Sequence, residues 1–494
     1  MQIPALLVTL AIATTASASP AAATQPSSAQ QILHTTLSAH GGAERIIAAS
    51  GLSYELEGGF HAPLQAAGYR GPFEPLPFSA RYVFDWAGKR SRVDSKLVFP
   101  GGFILDTREL GGKESIVLDQ HRLSFSRDVP LGMTASAYRY HPLPLLRQLV
   151  QPDTTLSDGG NTEFFGRKAH RLQARWPGLA TDIEVLVDQE TKLLAGYRLP
   201  RSYPLVPTGT NSVRFMDYQL VDGVKVPAKV YGETLSTPRL GFEVRLRGQK
   251  LGAVVADEFV LPKGYIELAA ESSLGPFVRE LAPNVYQVER LGGQDYAAMV
   301  LVGTEGVTLV EAPLNDKASA QLLTAVDRIA PGKPIKTLVL THHHDDHVGG
   351  MSAIVDRGAT VLGPAGAEDT LKAIYAANRP GRTMNYIAVP AGKKHLLADT
   401  PQPVELYNIN DNPHSEQILA LYIPSEKLLF QADMFTNPVH QEAGGPANEG
   451  GMAFVRWIKA QGLVPERIAG VHGTIASRAD INHMLKKAGS SLRL

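Results

Sequence analysis

One short run of histidine and aspartate constrains this chain more than any other feature. Residues 341–350 have the sequence THHHDDHVGG and directly follow the apolar run 335–340. The β-branched and leucine residues of that run predict a buried strand. A strand that ends in four histidines and two aspartates places several potential metal ligands on one loop. Because imidazole and carboxylate together suit zinc or another transition metal, this loop predicts metal chemistry.

Length and composition limit the class of protein. A chain of 494 residues exceeds one ordinary core and predicts two domains. The 48 basic residues balance the 48 acidic ones, so nothing attracts the protein to nucleic acid or to an anionic membrane. Cysteine is absent, which excludes disulfides, thiolate ligands and a cysteine nucleophile. Any metal must be held by His, Asp or Glu, and the expected partner is a small-molecule substrate.

The N-terminus has the features of an export signal. Residues 3–13 are mostly apolar, and residues 16–18 form an A-x-A-like cleavage pattern. Residues 1–18 are therefore predicted to be a signal peptide, followed by a linker at residues 19–28. The apolar run is too short to form a stable membrane anchor. We expect export to a bacterial periplasm or secretion; the sequence does not indicate an oligomeric state.

Residues 29–262 are predicted to form an N-terminal accessory domain that is rich in strands. Two helices are expected between residues 30 and 50, and another at residues 140–150. Short alternating runs bounded by Gly, Pro, Asp or Asn are typical of antiparallel hairpins. The predicted strands are 52–57, 79–84, 91–98, 114–118, 122–126, 170–175, 182–187, 193–198, 212–220, 225–231 and 242–247.

Two segments of this half resemble a known kind of sheet. Residues 217–227 and 257–262 resemble the curved half-barrel sheets of lipoprotein-carrier-type domains. The resemblance implies a concave apolar face that could hold a hydrophobic ligand or a partner protein. The alternative is a scaffold domain that packs on the catalytic domain.

A different pattern begins after a predicted linker at residues 263–276. From residue 277 to residue 494, strands alternate with helices, as is typical of α/β layers. The predicted strands are 285–289, 296–302, 306–311, 335–340, 360–362, 418–422 and 428–433, and the predicted helices are 317–329, 348–356 and 368–377.

The histidine loop resembles the signature of the metallo-β-lactamase superfamily. The resemblance lies in the spacing HxHxDH after a strand and before two glycines, and it extends from about residue 278 to the C-terminus. It implies an αβ/βα sandwich that holds two Zn²⁺ ions or other divalent transition metals. The implied ligands are His342, His344 and His414 for the first metal, Asp346, His347 and His472 for the second, and Asp433 as the bridge between them.

The same resemblance implies a zinc-dependent hydrolase in which a hydroxide between the metals attacks the substrate. Asp346 is the expected catalytic residue, because it would orient that hydroxide and relay a proton. Asp433 makes the ligand set similar to that of glyoxalase-II-like and lactonase-like hydrolases. An ester, lactone, thioester or related bond is therefore expected, and hydrolysis of a β-lactam is an alternative.

Two further classes of function stay open. The same ligands could hold iron for a redox reaction, as in flavodiiron relatives, although no flavin-binding domain is evident. The chain could also be a periplasmic binding module for a hydrophobic ligand or a partner, with a secondary metal site.

Residues next to the ligands carry further expectations. His343 and Asp345 occupy variable positions and are expected to face solvent or to support the ligands. Glu311 stands where the family usually has Asp, which implies a shifted backbone beneath the metal loop.

Substrate specificity is expected to lie in residues 435–451, where glycines predict a mobile flap. Tyr386 and Trp457 are candidate walls of the substrate site, with core packing as the alternative. His395, His440 and His483 have no spacing typical of ligands.

Overall fold

The computed structural model describes residues 27–234, 240–268, 275–438 and 444–494. The predicted signal peptide, most of the linker at residues 19–28, and His440 lie outside the described residues. So do parts of the predicted linker at 263–276 and of the predicted flap at 435–451. The described chain has one large N-terminal sheet and two C-terminal sheets. The predicted fold class, a strand-rich domain followed by an α/β sandwich, is confirmed.

The N-terminal domain is a 14-stranded sheet with few helices. Its helices are α1 (Ser28–His40), α2 (Ala43–Ala48), α3 (Gly132–Ala135) and α4 (Pro142–Leu149). Its strands are β1 (Gly51–His61), β2 (Leu76–Asp85), β3 (Arg90–Val98), β4 (Ile104–Gly111), β5 (Ser115–Asp119), β6 (Ser124–Arg127), β7 (Thr155–Phe164), β8 (Arg167–Arg175), β9 (Ile183–Asp188), β10 (Leu194–Tyr203), β11 (Val206–Val221), β12 (Val224–Thr234), β13 (Leu240–Leu251) and β14 (Ile266–Glu267).

The strands of this sheet are almost all antiparallel. The strand order is β14-β6-β5-β4-β3-β2-β1-β13-β12-β11-β10-β9-β8-β7, antiparallel except for the pair β14 and β6. Helix α1 contacts both β7 and β12, which are five strand positions apart. The 13 residues of α1 give it a length of about 20 Å, so this helix lies across several neighbouring strands. The half-barrel curvature of the sheet stays a prediction.

The N-terminal core lies between the sheet and its helices. Leu33 and Leu37 of α1 and Leu145 and Leu146 of α4 pack against the alternating inward side chains of the strands. The hydroxyl of Ser27 accepts from the backbone N–H of Gln30 at the start of α1, which satisfies one donor of its free first turn.

The C-terminal domain, from Phe277 to Leu494, contains two sheets. Its helices are α5 (Asp316–Ile329), α6 (Asp345–Val348), α7 (Met351–Val355), α8 (Glu368–Asn378), α9 (Glu449–Ala460) and α10 (Arg478–Lys487). The strands of the first sheet are β15 (Phe277–Ala282), β16 (Val285–Glu289), β17 (Ala298–Val302), β18 (Val307–Val310), β19 (Ile335–Val339), β20 (Thr360–Pro364) and β21 (Tyr386–Val389). Those of the second sheet are β22 (Lys394–Leu396), β23 (Glu405–Asn410), β24 (Gln417–Ile423), β25 (Leu428–Gln431), β26 (Arg467–Gly470) and β27 (Ala476–Ser477).

The two C-terminal sheets face each other across a shared core. Met299 and Val339 of the first sheet and Leu421 and Phe430 of the second sheet belong to one buried cluster. Side chains on the other face of the first sheet pack against α5, α7 and α8. Because α9 and α10 join the core of the second sheet, the layers run helix, sheet, sheet, helix.

Parallel pairing brings the loops of the candidate site to one edge of the sandwich. β18 pairs in parallel with β19, and β25 pairs in parallel with β26. The histidine loop follows β19, while Asp433 and His472 each lie two residues beyond the end of β25 and β26. His414 lies in the turn between β23 and β24. The carboxyl ends of these strands therefore deliver the predicted ligands to one place.

The two domains share an apolar contact as well as polar ones. Leu64 and Tyr69 of the N-terminal domain belong to the same buried cluster as Leu309 and Leu338 of the C-terminal domain. The Tyr69 hydroxyl donates to the carbonyl of Gln417. Within the described ranges, no helix has the length and apolar character needed to cross a bilayer.

Candidate metal centre

The predicted ligands form two adjacent groups. In each group the potential ligand atoms lie within 4.8 Å of one another. The two groups have one side chain in common, the carboxylate of Asp433. The first group is His342, His344, His414 and Asp433, and the second is Asp346, His347, Asp433 and His472.

Asp433 lies between imidazoles of both groups. Its Oδ1 is 3.0 Å from His347 Nε2 and 3.4 Å from His472 Nε2. Its Oδ2 is 3.4 Å from His414 Nε2. One carboxylate thus directs one oxygen at each group, which is the arrangement that a bridging ligand requires.

The outward nitrogen of each ligand histidine faces an oxygen atom. Such a contact holds the outward proton, fixes the ring and leaves the lone pair of the other nitrogen directed inward. Within the C-terminal domain, His342 Nδ1 lies 3.0 Å from Thr341 Oγ1, His347 Nδ1 lies 3.1 Å from Glu311 Oε2, and His472 Nδ1 lies 2.8 Å from the carbonyl of Asp295.

The N-terminal domain supplies the other two oxygens. His344 Nε2 lies 3.0 Å from the carbonyl of Ala66, and His414 Nδ1 lies 3.1 Å from the carbonyl of Pro100. Both carbonyls belong to loops of the large sheet, more than 270 residues earlier in the chain. Backbone oxygens carry no sequence signal, so the motif alone could not reveal them.

The donor set fits a pair of metal ions. Buried polar atoms in proteins nearly always have a partner. Here the buried atoms His347 Nε2 and Asp433 Oδ1 lie 3.0 Å apart but do not form a well-directed hydrogen bond, and neither has another hydrogen-bond partner. His414 Nε2 lies 3.1 Å from His344 Nδ1 and 3.4 Å from His342 Nε2, so imidazole nitrogens converge on one point. Nitrogen and carboxylate donors arranged in this way are typical of zinc sites.

Burial and charge act differently on the two groups. Burial lowers the pKa of His342 and His344 well below the ordinary value, which keeps both imidazoles neutral and able to donate a lone pair. Burial also lowers the pKa of His347, but the charges of Asp433 and Asp346 outweigh it, so that pKa is raised well above the ordinary value. The second group is therefore a strongly cation-attracting environment.

Asp346 is held from two sides. Its Oδ1 accepts from Gln65 Nε2 at 2.7 Å, and its Oδ2 accepts from the Tyr296 hydroxyl at 2.9 Å. Gln65 also donates to Asp345, whose pKa is raised to about 7 by burial and by the charge of Asp346. Neither Gln65 nor Tyr296 was identified from the sequence, because neither belongs to a recognisable spacing.

Glu311 supports the metal loop with both carboxylate oxygens. Its Oε1 accepts from the backbone N–H of Thr341 at 3.1 Å, and its Oε2 faces His347. The residue is fully buried and has a φ of 79°, which is unusual for a residue other than glycine. The longer carboxylate thus contacts the metal loop at two points, and the shifted backbone implied by the family resemblance stays a prediction.

The other residues singled out from the sequence lie away from the ligand atoms. His343 is buried against Tyr69, with ring centroids 4.5 Å apart, and does not face solvent. The Tyr386 hydroxyl donates to the carbonyl of Pro364, and Trp457 stacks on Phe454, so core packing describes both better than a substrate wall.

The predicted flap is partly helical. Gly450 and Gly451 lie in the first turn of α9, whose N-cap is Asn448, so the prediction of a mobile loop is wrong there. Thr436 of the same segment lines the cavity described next. His395 lies in β22 and His483 on the exposed face of α10, outside both ligand groups.

A cavity of about 520 Å³ opens onto the ligand atoms. Its polar end contains Asp346, His414, Asp433 and His472. Its walls come mainly from the N-terminal sheet. A cavity of this size, largely apolar with a few converging polar groups, is typical of a small-molecule site.

One family model matches part of the C-terminal domain. Residues 292–458 match the model of the metallo-beta-lactamase superfamily. An alkyl/aryl-sulfatase of Saccharomyces cerevisiae is 23% identical over 255 residues, which cover 42% of this chain and 39% of that protein. An (R)-specific secondary-alkylsulfatase of a Pseudomonas species is 29% identical over 125 residues, which cover 23% of this chain and 18% of that protein. The chain thus spans less than half the length of these relatives.

Solved structures similar to this chain include two metallo-beta-lactamases. One, from Pontibacter korlensis, has a TM-score of 0.35 and 20% identity, and the match covers 43% of this chain and 99% of that one. The other, from Pseudomonas aeruginosa in its mono-zinc form, has a TM-score of 0.35 and 16% identity, and the match covers 44% and 96%.

Proposed function

Because residues 292–458 match the model of the metallo-beta-lactamase superfamily, we propose that this protein is a metal-dependent hydrolase that cleaves an ester bond. The observation that carries the proposal is the convergence of seven side chains on two adjacent points that share Asp433. A lactone or thioester would present the same kind of carbonyl, so both belong to the proposed substrate range. A β-lactam is the alternative.

The proposed cofactor is a pair of zinc ions. The first ion would be held by His342, His344 and His414, and the second ion by Asp346, His347 and His472. Asp433 would bind both ions. Two bound dications supply Lewis-acid activation of a water molecule and of the substrate oxygen. Five imidazoles with two carboxylates suit zinc, and a chain without cysteine offers no thiolate.

The chain itself supplies orientation and exclusion of water. Gln65 and Tyr296 fix the two oxygens of Asp346, so its carboxylate keeps one direction toward the cavity. From that position Asp346 would accept a proton from the attacking water and pass it to the leaving group. His342, His344 and His347 are fully buried, which keeps bulk water from competing at the ligand points.

A sulfate ester is the second candidate substrate. Both curated relatives are alkylsulfatases by name. A sulfate ester carries an anionic head, and two dications would attract it to the polar end of the cavity. The apolar walls of the same cavity would accommodate the organic part of such a substrate.

The test is a substrate panel run on the zinc-loaded protein and on His414→Ala. Carboxylic esters, a lactone, a thioester, a sulfate ester and a β-lactam of similar size are compared by product release. We expect hydrolysis of at least one ester, with loss of about 100-fold or more in His414→Ala, since loss of a ligand opens the first site.

The matched control is His483→Ala, because that histidine is exposed on α10 outside both ligand groups. Its activity should equal that of the wild type. Bound metal is measured in protein purified without added metal. Predominant iron with oxygen consumption, or a hydrolysis that survives in His414→Ala, would contradict the proposal.

A further inference from the structure

The cavity at the ligand atoms has an apolar wall that the hydrolytic site does not itself require. This wall includes Phe60, Leu76, Leu97, Phe99, Phe103 and Leu105, all from the N-terminal domain. We name these six side chains the apolar wall. The residues that the C-terminal domain contributes to the cavity are polar, and Asp119, His121 and Arg122 of the N-terminal domain line it as well.

The apolar wall lies where β1 and β3 end and where β2 and β4 begin. Phe60 near the end of β1 pairs with Leu76 at the start of β2. Leu97 near the end of β3 pairs with Leu105 at the start of β4. Because antiparallel neighbours run in opposite directions, the ends of β1 and β3 lie beside the starts of β2 and β4. This end of the four strands faces the candidate metal centre.

The hairpin of β3 and β4 connects the wall directly to the ligands. Phe99 and Phe103 stand on its two sides, with ring centroids 5.5 Å apart. Between them, the carbonyl of Pro100 lies 3.1 Å from His414 Nδ1. Gly101 has a φ of 77°, and a Cβ there would lie 3.0 Å from His414 N, so a glycine permits the close approach. The wall therefore begins at the first metal group.

The wall keeps apolar surface in contact with solvent. Leu105 is 47% exposed, and Phe60, Leu97, Phe99 and Phe103 are half-buried. Each Å² of apolar surface left in water loses about 25 cal/mol of stabilising free energy. Core packing alone therefore does not explain why these side chains stay partly exposed. Exposed apolar area that lines a cavity is typical of a binding site.

We propose that the apolar wall binds the hydrocarbon chain of the substrate, so that the protein acts on esters of medium-chain apolar acids or alcohols. This inference rests on the proposed function. The reacting head lies at the ligand atoms and the chain lies along the β3–β4 hairpin. The N-terminal domain thereby selects the substrate, while the C-terminal domain cleaves it.

The binding test uses octanoate and acetate with the zinc-loaded protein and is followed by calorimetry. The carboxylate is the same in both probes, and only the chain differs. Each added methylene that enters an apolar site improves affinity about two- to fourfold. Octanoate should therefore bind at least about 50-fold more tightly than acetate.

Variants locate that preference on the wall. In Leu105→Ser and Phe103→Ser, the ratio of octanoate to acetate affinity should fall about tenfold. The matched control is Ile387→Ser, because Ile387 is also 47% exposed but lies on β21, away from the cavity lining. Equal affinities for the two probes, or an equal fall in Ile387→Ser, would overturn the inference.

A kinetic series separates this inference from the proposed function. Esters with acyl chains of two to eight carbons are compared by kcat/KM. A rise with chain length that is lost in Leu105→Ser supports both proposals. Hydrolysis that does not depend on chain length would support the hydrolase and contradict the apolar subsite. Tight octanoate binding without hydrolysis of any panel member would support the subsite and contradict the hydrolase.

Discussion

Asp346 accepts one hydrogen bond from each of the two domains. Tyr296 comes from the C-terminal domain, whereas Gln65 comes from a short 3-10 helix of the N-terminal domain. Because each donor fixes one oxygen, the direction of the carboxylate depends on both domains. Orientation of this kind is what a positioned proton-transfer group needs.

Replacing Gln65 by alanine should lower activity without emptying the site. The variant loses the bond to Asp346 Oδ1 but keeps every ligand. We expect kcat to fall about 10- to 100-fold, the usual effect of removing such a supporting contact. Metal content, measured by atomic emission, should stay at the wild-type value. Gln189→Ala, in the turn after β9 and far from the candidate site in the chain, is the control. An unchanged kcat in Gln65→Ala would contradict this role.

Replacing Glu311 by glutamine should weaken metal binding. Both carboxylate oxygens of Glu311 accept, one from the Thr341 N–H and one from His347 Nδ1. A glutamine keeps one acceptor and turns an NH₂ group toward one of these donors. Metal affinity, measured by competition with a chelator, should fall about 10- to 100-fold. Glu305→Gln, at an exposed surface pair, should change nothing.

At the residue scale, the sequence could predict which side chains converge at the candidate site but not which residues contact them. The spacing HxHxDH places four ligands on one loop, so one short segment contains the signal. Gln65 and Asp346 are 281 residues apart, and Tyr296 and Asp346 are 50 apart. Their contacts depend on how the domains pack, which no local pattern specifies.

Two buried histidines tie helices to the N-terminal sheet. At the end of α1, His40 Nδ1 faces the carbonyl of Lys225 at 2.8 Å, and its Nε2 accepts from the Leu194 N–H at 3.1 Å. At the start of α4, His141 Nδ1 accepts from the Leu143 N–H at 3.1 Å. Its Nε2 lies 3.0 Å from Gln249 Oε1. One ring nitrogen of each histidine accepts from a backbone N–H. A proton on that nitrogen would place two N–H groups against each other, so the contacts favour one neutral tautomer.

These histidines should make stability fall on acidification. Burial lowers the pKa of His40 to about 4 and that of His141 to about 3. The unfolded chain takes up these protons near pH 6.5 and the folded chain does not, so stability is lost as pH falls below that value. By about pH 5 the loss should reach about 2 kcal/mol for each histidine.

The measurement is the free energy of unfolding at about pH 7.5 and about pH 5. His40→Gln and His141→Gln should each be less stable than the wild type at the higher pH but should show a shallower pH dependence. His483→Ala, at an exposed position, should keep the wild-type slope. An equal slope in all four proteins would refute the assignment.

At the element scale, the local patterns predicted 18 of the 27 strands in the described residues and missed nine, β4 and β7 among them. The strands with clear alternation and turn residues, such as β2 and β12, appear where they were predicted. β7 was missed because its sequence contains two adjacent glycines, lies at the sheet edge and has a register shift after Asp158. β4 was missed because charged residues interrupt its apolar alternation.

The domain interface is part of the metal centre. The carbonyls of Ala66 and Pro100 face His344 and His414 of the first metal group. Farther out, Arg122 Nη1 lies 3.1 Å from Asp295 Oδ2, and the carbonyl of Asp295 faces His472. Three ligand histidines therefore depend directly or through one residue on the N-terminal domain. The N-terminal domain therefore contacts the candidate site directly, and whether it also binds a hydrophobic ligand or a partner stays a prediction.

Removal of metal should consequently loosen the N-terminal loops that contact the ligands. A ligand that binds the folded state stabilises every element whose position it requires, and its removal returns that free energy. When the imidazoles of His344 and His414 lose their metal, their rings are free to turn away from the two carbonyls. The loops at residues 62–69 and 99–103 should then open more often, although they belong to the other domain.

Hydrogen exchange of the full chain, with zinc and after chelation, measures this coupling. Exchange at residues 62–69 and 99–103 should accelerate about tenfold or more after chelation, which corresponds to about 1.4 kcal/mol of lost local stability. The hairpin of β7 and β8 is the internal control, because it lies at the far end of the large sheet. Faster exchange confined to the C-terminal domain would mean that the two carbonyls lie beside the ligands without depending on the metal. Equal acceleration in the β7–β8 hairpin would indicate global unfolding. Acceleration of the two loops alone would show that the metal centre holds the domains together.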